Sequence, residues 1–189
     1  LFPGDIDRKT QQNGGRNNAY TSEDYTCYHF DFAADRWTTA LDIEADRMRN
    51  LVIDEKHEFE QEKGAVISEL AGNEDEAWDR ESKALLFGPK APYGHPVIGE
   101  REHVKDSTAA IIKKHYDRWY HPNNAILIVV GGFDPIVALK EIKSRFTDIK
   151  SGELPPRFKD EPVPVRTKIV RKEITANSGT PRMIMGFNG

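Results

Sequence analysis

The sequence predicts an α+β protein with an antiparallel sheet. Three observations carry this. Two short alternating runs joined by a hairpin-length link come early, at 16–22 and 25–32. A long block of helical periodicity follows, at 34–86. Further strand-like runs come after that block, at 125–130, 167–175 and 182–187. Strands in pairs, then helices, then strands mark segregated layers rather than alternating βαβ units.

Each element has its own reason. "DIDRKTQQN", 5–13, reads as a short helix closed by Gly14 and Gly15. "RNNAYTS", 16–22, and "YTCYHFDF", 25–32, read as strands. In the second, Tyr28, Phe30 and Phe32 fall on one face and Cys27, His29 and Asp31 on the other. The link Glu23-Asp24 suits a hairpin. Residues 34–51 place Trp37, Leu41, Met48 and Leu51 at helical spacing, with Asp35 in the first turn. A longer helical stretch covers 55–86, with a break expected near Gly72-Asn73. "AILIVV", 125–130, is expected to be a buried strand. Asp134-Pro135 then supplies an N-cap and an N1 proline for a helix that buries Leu139, Ile142 and Phe146. Residues 151–166 carry Pro155, Pro156, Pro162 and Pro164 and read as an extended connection. There is no internal repeat.

Composition sets outer limits. The chain has 189 residues, of which 38% are hydrophobic and 31% charged, an ordinary globular balance. That length suits one good core and falls short of two full domains. A net charge of −4 gives no sign of a general nucleic-acid or membrane-surface partner. No apolar run approaches the roughly 18 residues that a membrane span needs. The single Cys27 has no partner for an internal disulfide. The chain opens on "LFPGDIDRKTQ", without Met, and stops on the strand-like "RMIMGFNG", so it reads as a segment of a longer protein.

The stretch "EFEQEKGAVISEL", 58–70, holds the first candidate site. Glu62 and Glu69 are seven positions apart, which on a helix brings them back to within about 20° of each other. Val66 lies between them, with Phe59 and Leu70 on the same side; Glu60, Gln61, Gly64 and Ser68 take the far side. Two carboxylates therefore flank or enter the apolar stripe. A buried carboxylate without a partner costs several kcal/mol, so such groups are normally paired or bind a metal. The bland alternative is a solvated charge run or a salt bridge, because residues 54–81 contain eleven acids against three bases.

The histidines add no internal metal motif. His29, His57, His95, His103, His115 and His121 never form H-x-x-x-H, H-E-x-x-H or H-x-x-E-H. "VVGGFDP" has neither G-x-G-x-x-G nor G-K-[ST], which rules out the phosphate-loop reading.

Four stretches, "GGRNNAYTSEDYTCYHF", "EKGAVISEL", "PYGHPVIGE" and "HYDRWYHPNNAILIVVGGFD", occur in that order. Together they resemble the N-terminal domain of the pitrilysin/insulinase family of inverted-motif zinc peptidases. The resemblance is close over residues 1–150 and looser beyond. It implies an antiparallel sheet with helices packed on one side, and residues 1–189 as most of one peptidase domain. It implies zinc as cofactor, held by two histidines of an H-x-x-E-H helix and by a glutamate that matches Glu69. Glu62 matches a second acidic residue that supports the site. The glutamate inside H-x-x-E-H acts in the family as general base on the zinc-bound water.

The H-x-x-E-H motif is not among these residues. In the family it lies upstream of the glutamate ligand, farther than the 68 residues that precede Glu69 here. The expectation is that the motif falls before Leu1, and that residues 1–189 alone are inactive and hold no stoichiometric zinc. "GGRNNAYTS" matches the family's substrate-binding strand, with Asn18 and Ala19 at the matched positions, where an extended peptide adds to an exposed sheet edge. The implied partners are a peptide or unfolded protein substrate and a second homologous domain or subunit that closes the active site. The alternative is a non-catalytic homologue that acts as a binding or structural subunit beside an active partner.

Overall fold

The computed structural model describes residues 1–2, 4–56, 59–72, 76–156, 165–175 and 180–187. In chain order its elements are α1 (Asp5–Gln12), β1 (Arg16–Thr21), β2 (Thr26–Asp31), α2 (Thr38–Asn50), α3 (Phe59–Gly72), α4 (Glu76–Phe87), α5 (Arg101–Asp106), α6 (Ala109–Trp119) and α7 (Pro135–Phe146). The fold is α+β, with β1 and β2 forming a two-stranded antiparallel hairpin. The chain divides into two compact units. The first comprises residues 1–20, 26–59 and 108–156. The second comprises 21–25, 60–107 and the described residues from 165 onward.

The core of the first unit gathers Leu41 and Ile43 from α2, Ala109 and Tyr116 from α6 and Ala138 from α7, with the Thr10 side chain also buried. Local chemistry sets the ends of these elements. Asn13 closes α1 by donating its side-chain amide to the Lys9 carbonyl (2.8 Å), and Gly14 turns the chain at φ 69°. Gly15 then lies so close to the Phe32 ring that a β-carbon there would overlap it. Asn17 of β1 donates to Asp7 of α1 (2.8 Å). Helix α6 starts on Thr108, whose hydroxyl accepts from the Ile111 amide (3.3 Å), while Glu55 accepts from the Ala109 amide (2.9 Å). Asp134 caps α7 as expected, accepting from the amides of Ile136 (2.7 Å) and Val137 (3.3 Å).

The end of α2 is fastened by one hydroxyl. Tyr116 donates to the Arg47 carbonyl (2.6 Å) and accepts from the Leu51 amide (3.2 Å), so it satisfies two backbone groups where the helix stops. Arg47 spreads its guanidinium 4.0 Å from the centre of the Tyr28 ring, and Tyr28 shares a hydroxyl–hydroxyl hydrogen bond with Tyr120. Thus β2 rests on α2 and α6 through its inner face. Tyr28, Phe30 and Phe32 are half-buried there, and on the other face His29 and Asp31 are exposed, as the alternation predicts, while Cys27 is half-buried.

In the second unit, α3 buries Leu70, and α4 leads through Gly88 (φ 90°) into a short 3-10 turn at Pro92–Gly94. The Phe87 and Tyr93 rings sit 5.6 Å apart across that turn. Arg101 of α5 reaches the Ile67 carbonyl of α3 (3.4 Å). Helix α3 is described to Gly72 and α4 from Glu76; the break expected near Gly72-Asn73 falls on residues outside those described.

Three expectations are corrected. Residues 125–130 join no ladder and are not buried: Ile126 and Val130 are 90% and 89% exposed. The described parts of 167–175 and 182–187 likewise form no strand. An apolar, β-branched sequence supplies one side of a strand only, and among the described residues nothing pairs with these segments. Leu139 is exposed, and the inner face of α7 passes through Ala138 instead. Arg145 marks that face by its ion pair with Asp42 of α2 (2.5 Å), and Leu139 lies one residue, about 100°, away from Ala138. Among the described residues no helix is long and apolar enough to cross a membrane.

Tyr116→Phe should lower the unfolding free energy of the chain by roughly 1–3 kcal/mol, because it leaves a partly buried carbonyl and amide without their partner. Urea denaturation followed by circular dichroism measures this, and an unchanged midpoint would show that water satisfies both groups.

Candidate functional site

Helix α3 carries both candidate carboxylates. Glu62 and Glu69 are exposed, with half-buried Phe59 and buried Leu70 at either end of the stripe they flank and Val66 only partly covered. They border the apolar stripe and do not enter it, so neither pays the burial cost that made their position puzzling. Among the described residues neither has a hydrogen-bond or ion-pair partner. The basic side chains nearby point to other groups. Lys63 pairs with Glu60 (2.8 Å) and reaches the Ser107 carbonyl (3.4 Å); Arg101 is directed to the Ile67 carbonyl. The pair is therefore a solvated, unneutralised patch of negative charge.

Asn18 and Ala19 are adjacent on β1 and both are exposed. The Asn18 side-chain oxygen accepts a hydrogen bond from the Ala19 amide (2.8 Å). Since β1 pairs with β2 alone, its other edge has no strand against it among the described residues. Turn chemistry closes the hairpin. The Ser22 amide donates to the Tyr25 carbonyl (2.8 Å), and the Ser22 hydroxyl accepts from the amides of Asp24 (3.4 Å) and Tyr25 (3.3 Å).

Zinc takes a set of three protein ligands in catalytic sites. Among the described residues no three His, Cys, Asp or Glu side chains come together to hold a metal. The exposed, unpaired carboxylates of α3 fit the role of partial donors and do not make a complete set.

One acid that sequence reasoning passed over has a perturbed titration. Glu44 on α2 is largely buried, and burial raises its pKa above the ordinary 4.5, only partly offset by the Arg47 charge. The Arg47 guanidinium lies 3.2 Å away, yet one Glu44 oxygen and the Arg47 Nε make no aligned hydrogen bond. The pair sits beneath β2 among Tyr28 and Tyr120, whose own pKa is raised by burial and by its bond to Tyr28. This is a structural ion pair rather than a reactive acid, and its only sequence signal was the i, i+3 spacing of Glu44 and Arg47.

Comparison with known proteins places the chain. Residues 3–87 match the family model described as Insulinase (Peptidase family M16), and residues 106–189 match the one described as Peptidase M16 inactive domain. The chain belongs to this family of zinc peptidases. An uncharacterized zinc protease of Streptomyces coelicolor is 29% identical over 153 residues, covering 79% of this chain and 32% of that protein. The probable zinc protease PqqL of Escherichia coli is 30% identical over 141 residues, covering 72% of this chain and 15% of that protein. Among solved structures, a protease from Helicobacter pylori superposes with a TM-score of 0.70 at 25% identity, covering 85% of this chain and 39% of that one. The chain spans less than half the length of each of these relatives.

The Glu44 shift has a defined sign. A carboxyl with a raised folded-state pKa stabilises the fold fully below its unfolded value, here the ordinary 4.5, and that contribution is lost as pH rises through the folded pKa. Glu44→Gln removes the titration. The wild type should therefore lose stability relative to the variant as pH rises from about 4.5 towards neutrality. Melting temperatures of both proteins across that range check this, and parallel curves would count against it.

Proposed function

We propose that this chain contributes a zinc ligand and a peptide-receiving strand to a zinc-dependent endopeptidase. The observation that carries the reading is the unpaired Glu62 and Glu69 on one face of α3, in a chain of this peptidase family. Glu69 is assigned as the carboxylate ligand and Glu62 as the acid that supports it. The remaining ligands and the general base would come from an H-x-x-E-H segment outside residues 1–189. When bound, zinc supplies Lewis acidity and lowers the pKa of its water towards about 7.

The chain's own residues do two further things. Glu62, beside Glu69, adds negative field that holds a cation and orients the ligand. Strand β1 offers backbone groups to an extended peptide. A peptide carbonyl that pairs with the Ala19 amide replaces the Asn18 side-chain oxygen that occupies it now, so Asn18 keeps the edge satisfied until substrate arrives. Peptides or unfolded segments are the substrate class, and a second homologous domain or subunit would close over them.

A non-catalytic homologue is the rival. The family model that matches residues 106–189, by its own description an inactive domain, is the observation on its side. One experiment separates the two readings. In the full protein carrying this chain, Glu69→Gln should reduce zinc content and peptide cleavage at least about tenfold, with Glu62→Gln causing a smaller loss of roughly 10-fold or less. Both side chains are exposed, so the unfolding midpoint of the zinc-free proteins should not move. Zinc analysis, a peptide-cleavage assay and denaturation are measured together. Normal zinc and turnover in Glu69→Gln would remove it from the site, and a wild type without zinc or cleavage would favour the subunit.

A further inference from the structure

The turn of the hairpin is held by two side chains, Lys83 and Tyr93, from beyond the hairpin itself. Lys83, on α4, pairs with Glu23 (3.0 Å) and, one helical turn back, with Asp79 (2.9 Å). Tyr93, in the 3-10 turn after α4, donates its hydroxyl to Asp24 (2.5 Å). The two residues of the link Glu23-Asp24 are thus each gripped, one by a cation and one by a phenol. Both grips come from one place in the fold, because Tyr93 packs on Phe87, the last residue of α4. Burial alone would lower the Lys83 pKa, but the hydrogen bonds it donates to Asp79 and Glu23, with their charges, outweigh burial and hold the ammonium charged.

These contacts are modest as stability terms. Lys83 and Glu23 are 20% and 27% exposed, and a partly solvated ion pair contributes about 1 kcal/mol or less. Their value lies in what they restrain. A two-stranded hairpin is marginal by itself, and an edge strand that must accept another chain has to be ordered before the chain arrives. Register matters as much as order: a slip of one residue would turn every side chain of β1 to the opposite face. The turn residues 21–25 belong to the same unit as α3, which carries Glu62 and Glu69.

We propose that Lys83 and Tyr93 are positioning residues that clasp the Glu23-Asp24 turn and so hold β1 as a receiving edge for extended peptide substrates. This rests on the peptidase reading above. Neither residue touches the peptide or the metal; both act through the turn.

The test uses the full protein carrying this chain. Lys83→Met and Tyr93→Phe should each raise KM for an extended peptide roughly 3- to 10-fold, with kcat and zinc content unchanged. Lys83→Arg, which keeps the charge, should restore KM. Hydrogen exchange at the amides of residues 18–21 should quicken in the Met and Phe variants. Tyr93→Phe removes a single hydroxyl and retains the ring, so it remains informative if the Lys83 variant folds poorly. An unchanged KM, or a loss of kcat and zinc together, would overturn the clasp. Asn18→Ala and Ala19→Pro serve as the control on the edge itself. If they raise KM while the Lys83 and Tyr93 variants do not, the clasp alone is wrong. If they leave KM unchanged, peptide does not pair with β1 and the underlying reading fails with it. A wild type that cleaves no peptide removes both.

Discussion

The bond on which the first unit turns is the one at the end of α2, where the Tyr116 hydroxyl joins the Arg47 carbonyl to the Leu51 amide. A helix end leaves backbone groups without partners, and here a side chain from α6 supplies what water would otherwise have to. Because Tyr116 is buried, the same contact fixes where α6 lies against α2. Arg47 is then held with its guanidinium beneath Tyr28 and near Phe30, and Arg49 reaches the Tyr120 carbonyl (3.0 Å). From one hydroxyl the chain of contacts runs through α2 to β2 and, by the ladder, to β1. Strand β1 inherits its place from a helix end.

Local signals were legible and long-range ones were not. The helix over 5–13, the hairpin and the Asp134 cap were all readable, because each depends on residues within a few positions of one another. Helices α5 and α6 went unread, although Thr108 caps α6 in the usual way. Leu139 shows a different limit. Periodicity names a face, but whether Ala138 or Leu139 meets the neighbour is decided by α2, through Asp42 and Arg145, more than 100 residues apart in sequence. The run 125–130 is the sharpest case. Its composition is that of a strand, yet a strand is defined by its neighbour, and composition says nothing about whether a neighbour is present. Of the candidate site, the shared face of Glu62 and Glu69 was readable from spacing alone. The grip of Lys83 and Tyr93 on the turn was not, since it joins residues 60 or more positions apart.

The exposure of Glu62 and Glu69 changes the question that their spacing raised. A buried pair would need a cation to exist at all; an exposed pair only needs a reason to remain unneutralised. The sequence provides one. Three and four positions from Glu62 lie Glu58, Phe59, Ala65 and Val66, and from Glu69 lie Ala65, Val66, Gly72 and Asn73. None is basic, so neither acid has a helical neighbour of opposite charge. Lys63 projects from a different part of the helix and is engaged by Glu60, while Arg80 sits between Glu81 and Glu100. A solvated charge run normally scatters lysines among its glutamates and gains a few tenths of a kcal/mol from each i, i+4 pair. Helix α3 forgoes that gain at these two positions while taking it with Glu60 and Lys63. The omission leaves two exposed carboxylates on one face of the helix with no basic side chain beside them, so a cation that approached that face would meet no repulsion from the helix itself.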